Sequence, residues 1–155
     1  MQSEAIITIG QNIIAATNDQ NPNSILADES YLMWGNDGAL ANLWVNSTVS
    51  ISGADLSRID RVWKLTESLN IINALFQVEV DNPNFDLPTM PGSADRTYYL
   101  LRDDDGDFTN GGTTYEAMTL SSGDKWQVLL SNPSDEYISI GVGQVCGAEA
   151  PVLTK

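Results

Sequence analysis

The chain has 155 residues, which suits one domain with a sizeable buried core. It carries 21 acidic and 7 basic residues and no histidine, so its net charge at pH 7 is −14. This balance disfavours nucleic acid and anionic membranes as partners, because both attract basic patches. The lack of histidine excludes Ser-His-Asp and Cys-His catalysis and any histidine metal ligand.

Strand-like runs follow one another along the chain, separated by residues that form turns. In chain order the runs are AIITIG, YLMWG, ALANLWV, SRIDRVWKLTES, NIINALFQVEVD, TYYLL, YEAMTL, DKWQVLL and EYISIGV. The turns contain NDQNPNS, GNDG, DNPNFDLPTMPGS, DDDGD, SSGD and SNPSD. About eight or nine short strands without a convincing amphipathic helix predict an all-β chain. We expect an antiparallel β-sandwich of the immunoglobulin-like or jelly-roll-like kind.

The run SRIDRVWKLTES shows a clear period of two, which is typical of a half-buried strand. It places on one face Ile59, Arg61, Trp63 and Leu65. If Arg61 faces inward, it needs a carboxylate or carbonyl partner, because a buried unpaired charge is costly. Trp63 and Trp126 both lie in alternating runs, so we expect them in the core.

One domain over residues 1–145 and a tail or linker over residues 146–155 are expected. The opening MQSEAIITIGQN lacks the basic and apolar regions of a signal peptide, and we interpret the chain as a module of something larger. No apolar run approaches the roughly 20 residues of a membrane helix, so membrane insertion is not expected. The single cysteine, Cys146, cannot form an internal disulfide and is interpreted as an incidental thiol.

Several segments together resemble a known family. They are ESYLMWGNDGAL, SRIDRVWKLTES, FQVEVD, YYLLRDDDGDFTNG and YISIG, spread over roughly residues 6 to 141. Their order is similar to an uncharacterised β-domain of very large bacterial cell-surface and adhesin-type secreted proteins, where it often adjoins lectin-like jelly-roll modules. The resemblance implies an extracellular, non-catalytic module, and it brings no assigned catalytic residues.

The densest chemical feature is the stretch RDDDGDF. It holds four aspartates around one glycine: Asp103, Asp104, Asp105, Gly106 and Asp107. Asp103, Asp105 and Asp107 stand at alternate positions and could ligate one Ca²⁺ if the loop curls. The EF-hand pattern is not met, because the glycine and Thr114 fall at the wrong positions. The alternative is a polar hairpin turn without an ion, and both interpretations stay open.

A second candidate site lies in ADESYLMWGNDGALANLW, where polar groups stand near two tryptophans. Its members are Asp28, Glu29, Trp34, Asn36, Asp37 and Trp44. Exposed tryptophans beside acidic or amide groups can hold sugars, because a ring stacks on the apolar face of the sugar. The simpler interpretation, which the sequence favours, is that GNDG is a hairpin turn joining two strands and that Trp34 belongs to the core.

Together these observations predict a non-catalytic extracellular module of a bacterial surface protein, acting as a spacer or adhesive domain and stabilised by calcium. Its expected partners are neighbouring domains of the same protein and a glycan or protein ligand on another cell. Two alternatives stay open. One is a carbohydrate-binding module that uses Trp34, Trp44 and the acidic turns, and the other is a self-assembling subunit of a surface layer or fibre. An acidic hydrolase with a distant partner such as Glu67 or Glu116 is disfavoured.

Overall fold

The computed structural model describes residues 7–23, 30–41, 43–51, 54–68, 71, 73–80, 96–130 and 132–144. Three predicted features lie outside these ranges. They are the acidic pair Asp28 and Glu29, the proline-rich loop at residues 81–95, and the tail that contains Cys146. The predictions for these parts, including the domain boundary, stay predictions.

The described ranges form eleven strands and one short 3₁₀ turn, Asn18–Gln20. The strands are β1 (Ile7–Gln11), β2 (Tyr31–Asn36), β3 (Trp44–Ile51), β4 (Ala54–Ile59), β5 (Trp63–Ser68), β6 (Ala74–Glu79), β7 (Arg96–Asp103), β8 (Thr114–Ala117), β9 (Thr119–Ser122), β10 (Lys125–Leu130) and β11 (Glu136–Gln144). No helix in these ranges is long and apolar enough to cross a membrane.

The strands form two sheets in which every pairing is antiparallel. The small sheet has the order β1-β6-β10-β9. In the large sheet β11 is central: β7 pairs along one side of it, and β5 and then β4 pair along the other. The strands β2, β3 and β8 continue the large sheet outward from β5, β4 and β7. The predicted all-β antiparallel β-sandwich is confirmed.

The main core lies between the two sheets and follows from the alternation of side chains. In β6 the residues Ala74, Phe76 and Val78 are buried, and the residues between them are half-exposed. They share one apolar cluster with side chains of the large sheet, among them Leu65 and Ile140. Fully burying one such side chain contributes roughly 1.5–3 kcal/mol, so the two inner faces hold the sheets together.

There are more strands than predicted because two predicted runs are each divided. SRIDRVWKLTES becomes β4 and β5, with a break at residues 60–62. YEAMTL becomes β8 in the large sheet and β9 in the small sheet, and Met118 lies between them. Met118 is buried in the main core, and its N–H donates to the carbonyl of Tyr98, 2.9 Å away. The chain therefore changes sheet at an apolar residue, as at the corners of many sandwiches.

The break between β4 and β5 is held by side chains and by the loop before β3. Ser139 of β11 is fully buried, and its hydroxyl lies 3.1 and 3.0 Å from the carbonyl oxygens of Ile59 and Arg61. Arg61 is buried, and its Nε donates to the carbonyl of Ala39 at 2.8 Å. Of the two kinds of partner considered, a carboxylate or a carbonyl, this bond supplies a carbonyl, and it anchors the β2–β3 loop on the break.

A second, smaller cluster lies on the outer face of the large sheet. Its buried members are Val49, Leu56, Tyr99, Leu101 and Phe108. The outward positions of β11 are small there, since a Cβ at Gly141 would lie 3.1 Å from the side chain of Leu101. The pattern ISIGVG, residues 138–143, thus places large residues inward and leaves room outside for this cluster.

We predict that Ser139→Ala lowers the free energy of unfolding by about 1–3 kcal/mol, because it removes the buried hydroxyl that closes the break. Ser134→Ala is the matched control, since Ser134 is exposed and its change should stay within about 0.5 kcal/mol. Urea denaturation of both variants measures the difference. Equal stability of the two variants would contradict the role given to Ser139.

Candidate functional site

The acidic stretch forms the loop between β7 and β8, which pair with each other as a hairpin. The hairpin connection proposed for these aspartates is confirmed. The loop nevertheless does not extend into solvent. It folds back across the outer face of the large sheet, where Phe108 of the loop has no exposed surface.

Asp103 shapes the first turn of this loop. Its side chain is buried, with 4% of its surface exposed. One carboxylate oxygen accepts the N–H groups of Asp105 and Gly106 at 3.0 and 2.8 Å, and the other accepts the hydroxyl of Thr113 at 2.7 Å. Aspartate commonly stabilises a turn in this way, because its short side chain can accept hydrogen bonds from backbone N–H groups two and three residues later.

Asp105 and Asp107 repeat the same device further along the loop. Asp105 accepts the N–H of Asp107 at 2.8 Å and the amide of Asn110 at 2.8 Å. Asp107 accepts the N–H and the hydroxyl of Thr109 at 3.0 and 2.6 Å. The three predicted ligands therefore act as acceptors for the loop's own donors.

These hydrogen bonds also affect the ionisation of Asp105. The N–H of Asp107, then the Asn110 amide and then the bond with Asp103 lower the pKa of Asp105 below its ordinary value. A lowered pKa stabilises the fold above the ordinary carboxyl pKa, and this contribution is lost as the pH falls through the lowered value. Asp105 therefore stays ionised at neutral pH.

Phe108 is the residue that sequence reasoning missed. It packs in the outer cluster, its carbonyl accepts the N–H of Thr48 at 3.0 Å, and the Arg58 guanidinium lies 4.9 Å from its ring centroid. Burial lowers the pKa of Arg58, and the negative charges of Asp60, Asp37 and Asp107 offset this in part. One signal was available, because a large aromatic residue inside an otherwise polar loop indicates an anchor.

An open cleft of about 540 Å³ lies beside this loop on the outer face of the large sheet. The cleft is lined by Met33, Trp34, Gly35, Asn36, Asp37, Val62, Lys64, Thr66, Asp105, Gly106 and Tyr137. Its floor comes from β2, β5 and β11, where Gly35 and Tyr137 each stand opposite Lys64. The loop forms one wall. Residues from both candidate sites of the sequence analysis therefore meet in one cleft.

Trp34 does not lie in the core, so the interpretation that the sequence favoured is wrong. The side chain is 47% exposed, because β2 pairs only with β5 and ends the large sheet. Trp63 is buried as predicted. Trp126 is half-buried against the main core and stacks edge-on with Tyr98 at 5.1 Å. Trp44 also packs against the main core and does not line the cleft.

The GNDG segment is a turn, but it does not join a hairpin, because β2 and β3 pair with different strands. Asn36 accepts the N–H of Gly38 at 2.9 Å, and Asp37 accepts the N–H of Ala39 at 2.9 Å. Asp37 also accepts the N–H of Val62 at 3.3 Å and donates its own N–H to the carbonyl of Val62 at 3.1 Å. The turn is thereby fixed to the rim of the cleft.

Lys64 brings a positive charge into the cleft. Its ammonium lies 5.3 Å from the ring centroid of Tyr137, a distance at which a cation is attracted by an aromatic face. It forms no hydrogen bond or ion pair with the residues that the structure describes. Gly106 covers the same ring, since a Cβ there would lie 3.1 Å from it. The cleft thus combines apolar surface with a free ammonium and the carboxylates of Asp37 and Asp105.

This arrangement suits binding of a polar ligand with apolar faces. Small-molecule sites are commonly concave, mostly apolar and equipped with a few polar groups that fix orientation. The two glutamates considered for hydrolysis have structural partners instead. Glu67 accepts the N–H of Ile71 at 3.0 Å, and Glu116 pairs with Arg102 at 3.0 Å.

Arg102 ties the end of the sandwich together by binding two carboxylates at once. Its Nε and one terminal nitrogen hold the buried Glu136 at 2.8 and 3.0 Å, and the other terminal nitrogen holds Glu116. Burial alone would lower the pKa of Arg102, but the hydrogen bonds and charges of these two glutamates raise it. We assign this group to stability.

We predict that Asp103→Ala costs about 1–3 kcal/mol of unfolding free energy, because two backbone N–H groups and a hydroxyl lose their acceptor. Asp104→Ala in the same cluster is the control, since Asp104 is exposed and forms no hydrogen bond with the residues that the structure describes. Thermal unfolding monitored by circular dichroism compares the two variants. If both variants lost the same small amount of stability, the role given to Asp103 in holding the loop would be contradicted.

Calcium binding by Asp103, Asp105 and Asp107 stays a prediction. Among the described residues no three acidic side chains are grouped as a metal site. The sequence predicts that millimolar calcium raises the melting temperature and that EDTA lowers it, since an ion bound only by the folded state stabilises it. A melting temperature unchanged by either addition would contradict calcium binding.

The comparisons with known proteins give one match. A family model described as a domain of unknown function, DUF8202, matches residues 1–134, which contain β1 to β10. No curated protein and no solved structure matches the chain. Because the match covers well over half of its length, the chain belongs to the DUF8202 family.

Proposed function

We propose that this chain is a non-catalytic binding module of a bacterial surface protein and that its outer cleft binds carbohydrate. The observation that supports this most is the composition of the cleft wall. Trp34, which is 47% exposed, lines the cleft together with Asn36, Asp37 and Lys64. Stacking on an aromatic ring and hydrogen bonding to hydroxyl groups are the two contacts that a sugar ring requires.

The shape of the cleft supports a binding role over a purely structural one. A spacer domain needs a stable sandwich and no concave surface, whereas this cleft has the volume common for small-molecule sites, about 300–1,000 Å³. Its polar groups are held by hydrogen bonds to the backbone before any ligand arrives, as Asp37 and Asp105 illustrate. A site held in place in this way loses little entropy on binding.

The extracellular setting comes from the resemblance described above and from the acidic composition. A net charge of −14 favours solubility and keeps copies of the chain apart. The proposed partners are neighbouring domains of the same protein and a glycan on another cell. Self-assembly into a layer or fibre stays an alternative.

We predict that the purified chain binds a glycan and that Trp34→Ala weakens this binding by about tenfold or more, which corresponds to about 1.4 kcal/mol. Trp34→Phe should keep most of the affinity, because it retains a ring for stacking. Lys64→Met, which keeps the apolar stem and removes the ammonium, should weaken binding less. A glycan array identifies the ligand, and calorimetry measures each variant.

Leu120→Ala is the control for these variants. Leu120 is 51% exposed, and it lies on β9 of the small sheet, outside the cleft. Its replacement removes a similarly exposed apolar side chain and should leave the affinity unchanged. Absence of binding to every glycan on the array, or equal losses for Trp34→Ala and Leu120→Ala, would overturn the proposal.

A further inference from the structure

A second cleft of about 350 Å³ opens at the edge of the sandwich, between β1 of the small sheet and β2 of the large sheet. Its apolar lining includes Ile9 and Leu32, which also pack against the main core. Trp34 lines this cleft as well as the first one. The two clefts therefore adjoin at Trp34, which is 47% exposed.

The polar lining of the second cleft differs from that of the first. It consists of the amide side chains Gln11, Asn21 and Asn23, and none of the described residues that line it is charged. The described part of the lining therefore favours neutral groups, because it holds no charge to offset the cost of removing an ion from water. Amides offer a donor and an acceptor together, which matches the paired hydroxyls of a sugar.

Asn23 is held in place but keeps an unused acceptor. Its N–H and its side-chain amide nitrogen both donate to Oδ1 of Asn21, at 2.9 and 3.1 Å. Asn21 is fixed in turn by donating to the carbonyl of Gln11 at 3.2 Å. The Oδ1 of Asn23 accepts no hydrogen bond from the residues that the structure describes, and Asn23 is only half-exposed. This oriented acceptor, among described lining residues that carry no charge, is available to a ligand.

From these features we infer that the second cleft is a subsite for the same ligand, which is an oligosaccharide chain and not a single sugar. The inference rests on the proposed function. One end of the oligosaccharide occupies the cleft that contains Lys64. The oligosaccharide then passes Trp34, and its uncharged remainder enters the second cleft, where a sugar hydroxyl donates to Oδ1 of Asn23. The affinity therefore rises with the number of sugar units.

The test uses the intact chain and β-1,4-linked oligosaccharides of glucose and of N-acetylglucosamine, from disaccharide to hexasaccharide. In the series that binds more tightly, we expect the hexasaccharide to bind about tenfold more tightly than the disaccharide. The gain comes from the added hydrogen bonds in the second cleft. Asn23→Ala should remove this advantage and leave the affinity for the disaccharide unchanged. Calorimetry measures both constants.

The outcomes separate the two proposals. If disaccharide and hexasaccharide bind equally to the wild-type chain, the subsite is refuted and carbohydrate binding stands. If no saccharide in either series or on the array binds, both proposals fail. Should Asn23→Ala fail to fold, nitrogen-15 NMR of the wild-type chain decides. The N–H signals of Gln11 and Asn23 must shift with the hexasaccharide and stay in place with the disaccharide, and the reverse result overturns the subsite.

Discussion

The burial of Phe108, the aromatic residue of the acidic loop, is the contact on which the outer cleft depends. Without it, a segment with four aspartates would have little reason to lie against a sheet, because their charges favour water and repel one another. The ring fills the outer cluster, and the loop's carboxylates accept the loop's own N–H groups. The loop is thereby fixed across the large sheet. One wall of the cleft follows directly from that placement.

The central strand β11 provides the other half of this arrangement. Its inward residues build the main core, and Tyr137 on its outer side supports both Gly106 and Lys64. The break between β4 and β5, closed by Ser139, lets the β2–β3 loop reach the rim of the same cleft. Core packing and the functional surface are thus two faces of one sheet.

Much of the fold could be predicted from the sequence, because strands with one buried face show a period of two. The inward residues around Trp63 were placed correctly for this reason. The splitting of two runs was not visible, since alternation continues through the break at residues 60–62, where Arg61 is buried although it lies outside both strands. Periodicity records which side of a sheet a residue faces, and it does not record where the pairing partner changes.

The candidate site was harder to predict, because it depends on which strand lies at an edge. Trp34 alternates like a core residue, and only the position of β2 at the end of the sheet exposes it. Likewise, nothing in the spacing of GNDG and DDDGD indicates that they line one cleft, since β5 and β11 lie between them. Trp44, close to Trp34 in the chain, belongs to the core and not to the site.

The most direct measurement compares oligosaccharide affinity in Gly106→Ala and Gly111→Ala. Both glycines have positive φ, at 82° and 90°, so both substitutions bring similar backbone strain. Only the Cβ at position 106 would press on the Tyr137 ring, while that at 111 meets nothing within 4 Å. We predict that Gly106→Ala weakens binding and that Gly111→Ala retains it. Equal affinity in the two variants would contradict a binding cleft formed between the acidic loop and the sheet.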